Sequence, residues 1–209
     1  MQKFQDLTKN ELNQILIDMT LLQSGFDGLD IKYSLNGGTL LGAMRNGDFI
    51  PWDWDVEYII YGDVIWYDLI SRLKSLGLDV TVTIFSGAPK ILIHSVVLIE
   101  IFKFVKKDSM YYRGHWIIKN NNMLIPSKYL DKLITFNFKG IKTYIPTLSQ
   151  EYLTYRYGNW EVPVVHEPED FSYLTEAFSP CKKNKIGLFV KVLRRFLRYV
   201  DKIIPLMVR

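Results

Sequence analysis

Three carboxylates alternate with large apolar side chains in Ile50-Pro51-Trp52-Asp53-Trp54-Asp55-Val56-Glu57-Tyr58-Ile59-Ile60, and few folds can accommodate that pattern. In an extended strand alternate side chains share a face, so the spacing predicts Asp53, Asp55 and Glu57 in one row. An exposed strand with so many aromatics would be unusual, which places the carboxylates in a cleft. Carboxylates this close repel one another and raise each other's pKa unless a cation or several hydrogen-bond donors share the site. Mg²⁺ or Mn²⁺, which prefer hard oxygen ligands, would suit the row.

A second acid calls for the same remedy. Glu100 stands alone in Leu98-Ile99-Glu100-Ile101-Phe102, and an unpaired charge in a buried strand costs several kcal/mol. A metal shared with the earlier acids would supply its partner. Upstream lies Asn36-Gly37-Gly38-Thr39-Leu40-Leu41-Gly42-Ala43-Met44-Arg45, where a glycine turn follows a short strand over residues 31–35. One or two helical turns are expected from Thr39 to Arg45. Backbone N–H groups at such a turn can hold a phosphate, and Arg45 could contact the same anion. The alternatives are a tight bend and a surface arginine.

Helical spacing of Leu12, Ile15, Leu16, Met19 and Leu22 predicts a helix over about residues 7–22, with Thr8 and Glu11 as a capping box and Gly25 and Gly28 ending it. A second helix is expected from about Val64 to Leu76. Strand patterns follow at residues 79–85, 90–96 and 97–105. A short helix is expected at 126–133, a hairpin turning at Lys139-Gly140, and a helix from 148 to 157 stopped by Gly158. The order predicts an α+β fold, a small mixed β-sheet flanked by helices.

At 209 residues with 48% hydrophobic and 23% charged residues, the chain suits one globular domain and not a disordered one. The single cysteine, Cys181, excludes an internal disulfide and fits a reducing compartment. The N-terminal residues have no apolar signal core, which predicts no secretion by that route, and no run reaches the roughly 20 apolar residues needed to span a bilayer. His94, His115 and His166 lack ligand spacing and read as structural.

The net charge of +4 is unevenly spread. Residues 182–209 hold nine basic side chains and one acid, +8, leaving the remaining 17 basic and 21 acidic residues at −4. Apolar residues from Ile186 to Met207 recur on one helical face, with Lys191, Arg194, Arg195, Arg198 and Lys202 opposite. Such a basic amphipathic helix suits a membrane interface, each basic residue adding roughly 1 kcal/mol on anionic lipid; a helix packed on the body or a partner is the alternative. Residues 1–178 are thus expected to form the catalytic domain and 179–209 a membrane-associating tail. Basic residues confined to an amphipathic helix beside an acidic body argue against nucleic-acid binding.

The run from Gly37 to Arg45, followed by Gly47-Asp48-Phe49-Ile50-Pro51-Trp52-Asp53-Trp54-Asp55-Val56-Glu57, resembles the signature of the LicD family of phosphotransferases. Leu98-Ile99-Glu100-Ile101-Phe102 and Tyr152-Leu153 to Tyr157-Gly158-Asn159-Trp160 resemble further segments of it. The resemblance implies a nucleotidyltransferase-like fold. Asp55 and Glu57 would be paired metal ligands, Glu100 the third, and Asp53 an additional ligand or the base that takes the acceptor's proton. Gly37, Gly38, Thr39 and Arg45 would lie on the phosphate side. Two positions depart from the family's usual Trp-Asp-Asp-Asp-Ile-Asp run. Trp54 occupies its middle, and Glu57 replaces the last Asp.

The resemblance further implies transfer of a phospho-alcohol, of phosphocholine, glycerol phosphate or ribitol phosphate type, from a CDP-linked donor to a glycan hydroxyl with release of CMP. The glycan is expected on the cell surface or on a lipid carrier, with the protein peripheral on the cytoplasmic face of the membrane. Two alternatives stay open: a nucleotidyltransferase that leaves the nucleoside monophosphate on its acceptor, and a non-catalytic, membrane-attached glycan-binding protein.

Overall fold

The computed structural model describes residues 2–85, 88–113 and 124–165. Its first helix, α1 (Lys9–Asp27), begins at the expected capping box: the Thr8 side chain accepts from the Glu11 backbone while Glu11 reaches back to the Thr8 N–H. The helix runs through Gly25, contrary to expectation, and is capped by Gly28. Gly25 lies where α1 meets α3 (Trp66–Ser75); a Cβ there would come within 2.6 Å of Leu73 Cδ2. The residue is a contact point between helices, and packing overrides its weak helix propensity.

The main sheet contains β1 (Tyr33–Leu35), β2 (Asp55–Tyr61), β3 (Val80–Phe85), β4 (Ala88–His94), β5 (Leu98–Lys107), β6 (Met110–Arg113) and β7 (Leu124–Pro126). The strand order is β1-β2-β5-β4-β3, with β6 joined to the far end of β5 and β7 to β6. Only β2 and β5 run parallel, which makes the sheet mixed. The fold is therefore α+β as expected. α1 covers one face: Gln23 donates to the Tyr58 hydroxyl at 2.8 Å, and Phe26 packs on Tyr33 and Tyr58. By strand alternation Asp55 and Glu57 point to the other face.

The remaining elements are α2 (Gly37–Asn46), α4 (Ser127–Leu130), the hairpin β8 (Leu133–Phe138) and β9 (Ile141–Pro146), and α5 (Ser149–Tyr157). The hairpin turns at Lys139-Gly140, both at positive φ, as expected. No helix among the described residues is long and apolar enough to cross a membrane. The amphipathic stretch 186–207, the tail boundary at 179, His115 and His166 lie outside the described residues.

A short 3₁₀ turn, Phe4–Asp6, braces the segment that carries Asp53. The Phe4 N–H donates to the Asp53 carbonyl at 2.9 Å and the Gln5 N–H to the Pro51 carbonyl at 2.8 Å. The Phe4 ring stacks on Phe49 at 4.2 Å, and Phe49 meets Phe138 edge-on. Phe4→Ala is expected to cost about 3 kcal/mol, read as a lowered urea midpoint. A change below 1 kcal/mol would show that the brace does not hold this loop.

Candidate active site

The acids do not form the single strand row that alternation predicts. β2 begins at Asp55, so only Asp55 and Glu57 share it; Asp53 sits in the turn before it, where its N–H donates to the Ile50 carbonyl. Pro51 and the Phe4 brace hold that turn out of the sheet. Asp53 nevertheless rejoins the cluster, because its carboxylate lies against Gly38 at the start of α2.

Glycine is required at both positions of the turn by these carboxylates. A Cβ on Gly37 would overlap the Glu57 carboxylate, and one on Gly38 would overlap Asp53 Oδ2. Gly37 also has φ +54°, a region that favours glycine. Both glycines belong to the first turn of α2, where the expected helix begins only behind them. The Gly38 N–H donates to Glu57 Oε2 at 2.7 Å, so a carboxylate meets the positive end of the helix. Thr39, expected on the phosphate side, is buried and accepts from the Glu57 N–H at 2.9 Å. It fixes the strand that presents Glu57. Arg45 lies in the last turn of α2, about 12 Å along the axis from Gly37. Its guanidinium sits 5.9 Å from the Trp52 ring centre.

Glu57 and Glu100 are direct partners in the parallel β2–β5 register, which sets two carboxylates side by side. Like charges opposite one another destabilise a sheet, and a lysine on the neighbouring strand offsets them. Lys90 on β4, diagonal to Glu100, donates to Glu100 Oε1 at 2.6 Å, with the two side chains 10% and 13% exposed. This lysine gives the buried Glu100 carboxylate a counter-charge. The reasoning that singled out Glu100, one charge in an apolar strand, applies equally to Lys90 in Lys90-Ile91-Leu92-Ile93 and would have found it. Lys90→Met is expected to destabilise the protein by on the order of 3 kcal/mol, since it strands a buried carboxylate. The loss should shrink as pH falls and Glu100 takes up a proton. A pH-independent loss in urea titrations would contradict this.

Burial drives the Asp53 carboxyl well above the ordinary carboxylate range, and the neighbouring Glu57 adds to the shift. Asp55 is raised for the same reasons, burial first and then Glu57, Asp53 and Glu100. Burial also raises Glu100, against the opposing pull of Lys90. Among the described residues, no three Asp, Glu, His or Cys side chains already stand as a metal-holding group. The donor chemistry nonetheless fits a hard divalent ion. Asp53, Asp55 and Glu57 offer only oxygens, and burial and the neighbouring Glu57 disfavour the anionic form of both aspartates.

On the far side of this cluster stand groups that the sequence did not single out. Asn36 is the N-cap of α2, yet its side chain makes no cap bond. Its Oδ1 instead accepts from the Tyr152 hydroxyl at 3.0 Å and from Arg156 Nη1 at 3.2 Å, both on α5. Arg113 on β6 is half-buried near Arg156, Glu57 and Glu100, and desolvation lowers its pKa to about 10. Acids and guanidinium groups thus adjoin, an arrangement with the charges to receive a divalent cation together with a phosphate.

Residues 30–81, from the turn before β1 to the start of β3, match the family model described as LicD/FKTN/FKRP, nucleotidyltransferase domain. The matched segment contains Gly37, Gly38, Asp53, Asp55 and Glu57. Over 148 residues the chain is 25% identical to ribitol 5-phosphate transferase FKRP of Mus musculus, covering 66% of this chain and 29% of that protein. Over 33 residues it is 54% identical to lipopolysaccharide cholinephosphotransferase LicD of Haemophilus influenzae, covering 16% of this chain and 12% of that one. The chain thus spans less than a third of the length of the curated relatives it matches. Among solved structures, ANT(2″)-Ia in complex with adenylyl-2″-tobramycin aligns with a TM-score of 0.46 at 18% identity, over 90% of this chain and 99% of that one.

Proposed function

We propose that the protein is a metal-dependent phosphotransferase that moves a phospho-alcohol from a CDP-linked donor to a glycan hydroxyl and releases CMP. One observation carries this reading. A LicD-family segment gathers Asp53, Asp55 and Glu57 at the N-terminal end of α2, with Glu100 on the adjoining strand. The relatives named for ribitol 5-phosphate and phosphocholine transfer support the phospho-alcohol as the group transferred.

Asp53, Asp55 and Glu57 would hold Mg²⁺ or Mn²⁺, which when bound stabilises the negative charge that develops on the transferring phosphoryl group. The acceptor oxygen forms its bond to the phosphorus that bears the alcohol as the bond to the CMP oxygen breaks. Asp53, which stands in the turn outside the Asp55–Glu57 strand pair, takes the hydroxyl proton. Glu100 and Lys90 hold β5 and β4 together beside Glu57, and Arg113 and Arg156 attract the donor's phosphates.

The test is product analysis with Mg²⁺ or Mn²⁺, CDP-choline, CDP-glycerol or CDP-ribitol, and a glycan acceptor. Release of CMP with a phospho-alcohol on the acceptor is the expected result. A cytidylylated acceptor would instead make the protein a nucleotidyltransferase, and failure to bind any CDP-alcohol with either metal would overturn the assignment.

The basic stretch 186–207 would bring this site to a lipid-linked acceptor on the inner membrane face. Replacing Arg194, Arg195, Arg198 and Lys202 by glutamine in the full chain is then expected to reduce partition onto anionic vesicles by about 10³-fold. Equal sedimentation of both proteins with such vesicles would remove the membrane role.

A further inference from the structure

Asn36 does not behave as an asparagine at a helix start should. Such a residue normally spends its side-chain oxygen on an N–H of the first turn. Here the Gly38 N–H is taken by Glu57, and the Asn36 oxygen is held by Tyr152 and Arg156 from α5. A guanidinium can only donate, so the atom facing Arg156 must be the oxygen, and the NH₂ is turned the other way. That nitrogen is buried, in a residue 1% exposed, and meets no hydrogen-bond partner among the described residues. A buried amide left without an acceptor costs about 1–3 kcal/mol, a burden that suits a group awaiting a ligand.

The surroundings narrow the ligand's chemistry. The amide stands at the N-terminal end of a ten-residue helix, which favours anions. Arg113 and Arg156, which face Glu57, place positive charge beside it. The adjoining carboxylates would repel a lone anion, but they would accept one that arrives with a divalent cation. From this geometry we infer that the Asn36 NH₂ donates to a phosphate oxygen of the donor substrate, its direction fixed by Tyr152 and Arg156. The inference rests on the phosphotransferase reading and adds to it a contact for the donor phosphate.

The experiment measures binding of Mg²⁺-pyrophosphate and of Mg²⁺ with CDP-alcohols by calorimetry, in the full chain and in Asn36→Asp, Asn36→Ser and Tyr152→Phe. A hydrogen bond to a charged oxygen sets the expectation. The two Asn36 variants should bind both probes about 10- to 100-fold more weakly, measured below the melting temperature of each; Asn36→Ser, which also removes the acceptor for Tyr152 and Arg156, should melt lower than the parent. Tyr152→Phe keeps the amide and the Arg156 contact, and should lose less than about fivefold. If Asn36→Asp fails to fold, Asn36→Ser decides, since it lacks the NH₂ and adds no charge. Unchanged affinity in the folded Asn36 variants would overturn the contact while leaving the phosphotransferase reading intact. A parent protein that binds pyrophosphate but no CDP-alcohol, with the pyrophosphate lost in the variants, would sink the donor class and keep the contact. A parent that binds neither probe would overturn both.

Discussion

Asp55→Asn is expected to reduce phospho-alcohol transfer on the order of 10³-fold while leaving the metal-free protein as stable as the parent or more so. The loss reflects the several kcal/mol that a metal-supported charge contributes to such a transition state. The stability follows from the ligand-free cluster. Asp53, Asp55 and Glu100 all have raised pKa values in the fold, burial being the first cause for each. Their unfolded counterparts lose protons near the ordinary values of about 4, while the folded protein retains its protons to higher pH. Between those limits the folded state binds more protons than the unfolded one, so stability falls as pH rises from about 4 through neutrality. Asp55→Asn removes one of these groups, and its pH slope should be shallower. Added Mg²⁺ should raise the parent's melting temperature more at pH 8 than at pH 5, and should scarcely affect the variant. Melting curves at several pH values with and without Mg²⁺ check this. Parallel slopes for the two proteins, or full activity in the variant, would refute the role given to Asp55.

Gly38→Ala is expected to abolish activity with almost no cost to folding. Its Cβ would occupy the place of Asp53 Oδ2 and turn that carboxylate out of the cluster. Alanine in the first turn of α2 should itself favour the helix, by up to about 1 kcal/mol. Gly37→Ala should be as inactive but less stable, because it both displaces the Glu57 carboxylate and places alanine at φ +54°, a strain of about 1–2 kcal/mol. Gly47→Ala is the control. Gly47 caps the other end of α2 at φ +69° with open space around its Cα, so alanine there should cost about 1 kcal/mol and spare activity. Activity assays paired with denaturant melts separate the three. If Gly38→Ala keeps more than a tenth of the parent's rate, the position of Asp53 is not critical.

Features set by neighbouring residues were legible without the structure. The Thr8–Glu11 capping box, the Lys139-Gly140 hairpin and the stop at Gly158 all depend on local backbone geometry and local hydrogen bonds. The pairing of Asp55 with Glu57 was legible for the same reason, since strand alternation is a local rule. Errors arose where distant segments decided the outcome. Gly25 stays helical because Leu73 packs against it, and Asp53 leaves the strand because Phe4 pins its loop.

What the sequence alone determined is the chemistry on offer: clustered carboxylates, a glycine turn before them and a lone acid in an apolar strand, in an order that resembles the LicD signature. Tertiary structure decided how those groups are used. The parallel β2–β5 pairing sets Glu57 beside Glu100, and β4 supplies Lys90 as a counter-charge to Glu100. The carboxylates of Asp53 and Glu57 fill the space at Gly37 and Gly38. α5, 116 and 120 residues away, turns the Asn36 amide. Residue types fix which interactions are possible, but a charge buried among strands takes its partner from whatever the fold brings within hydrogen-bond reach.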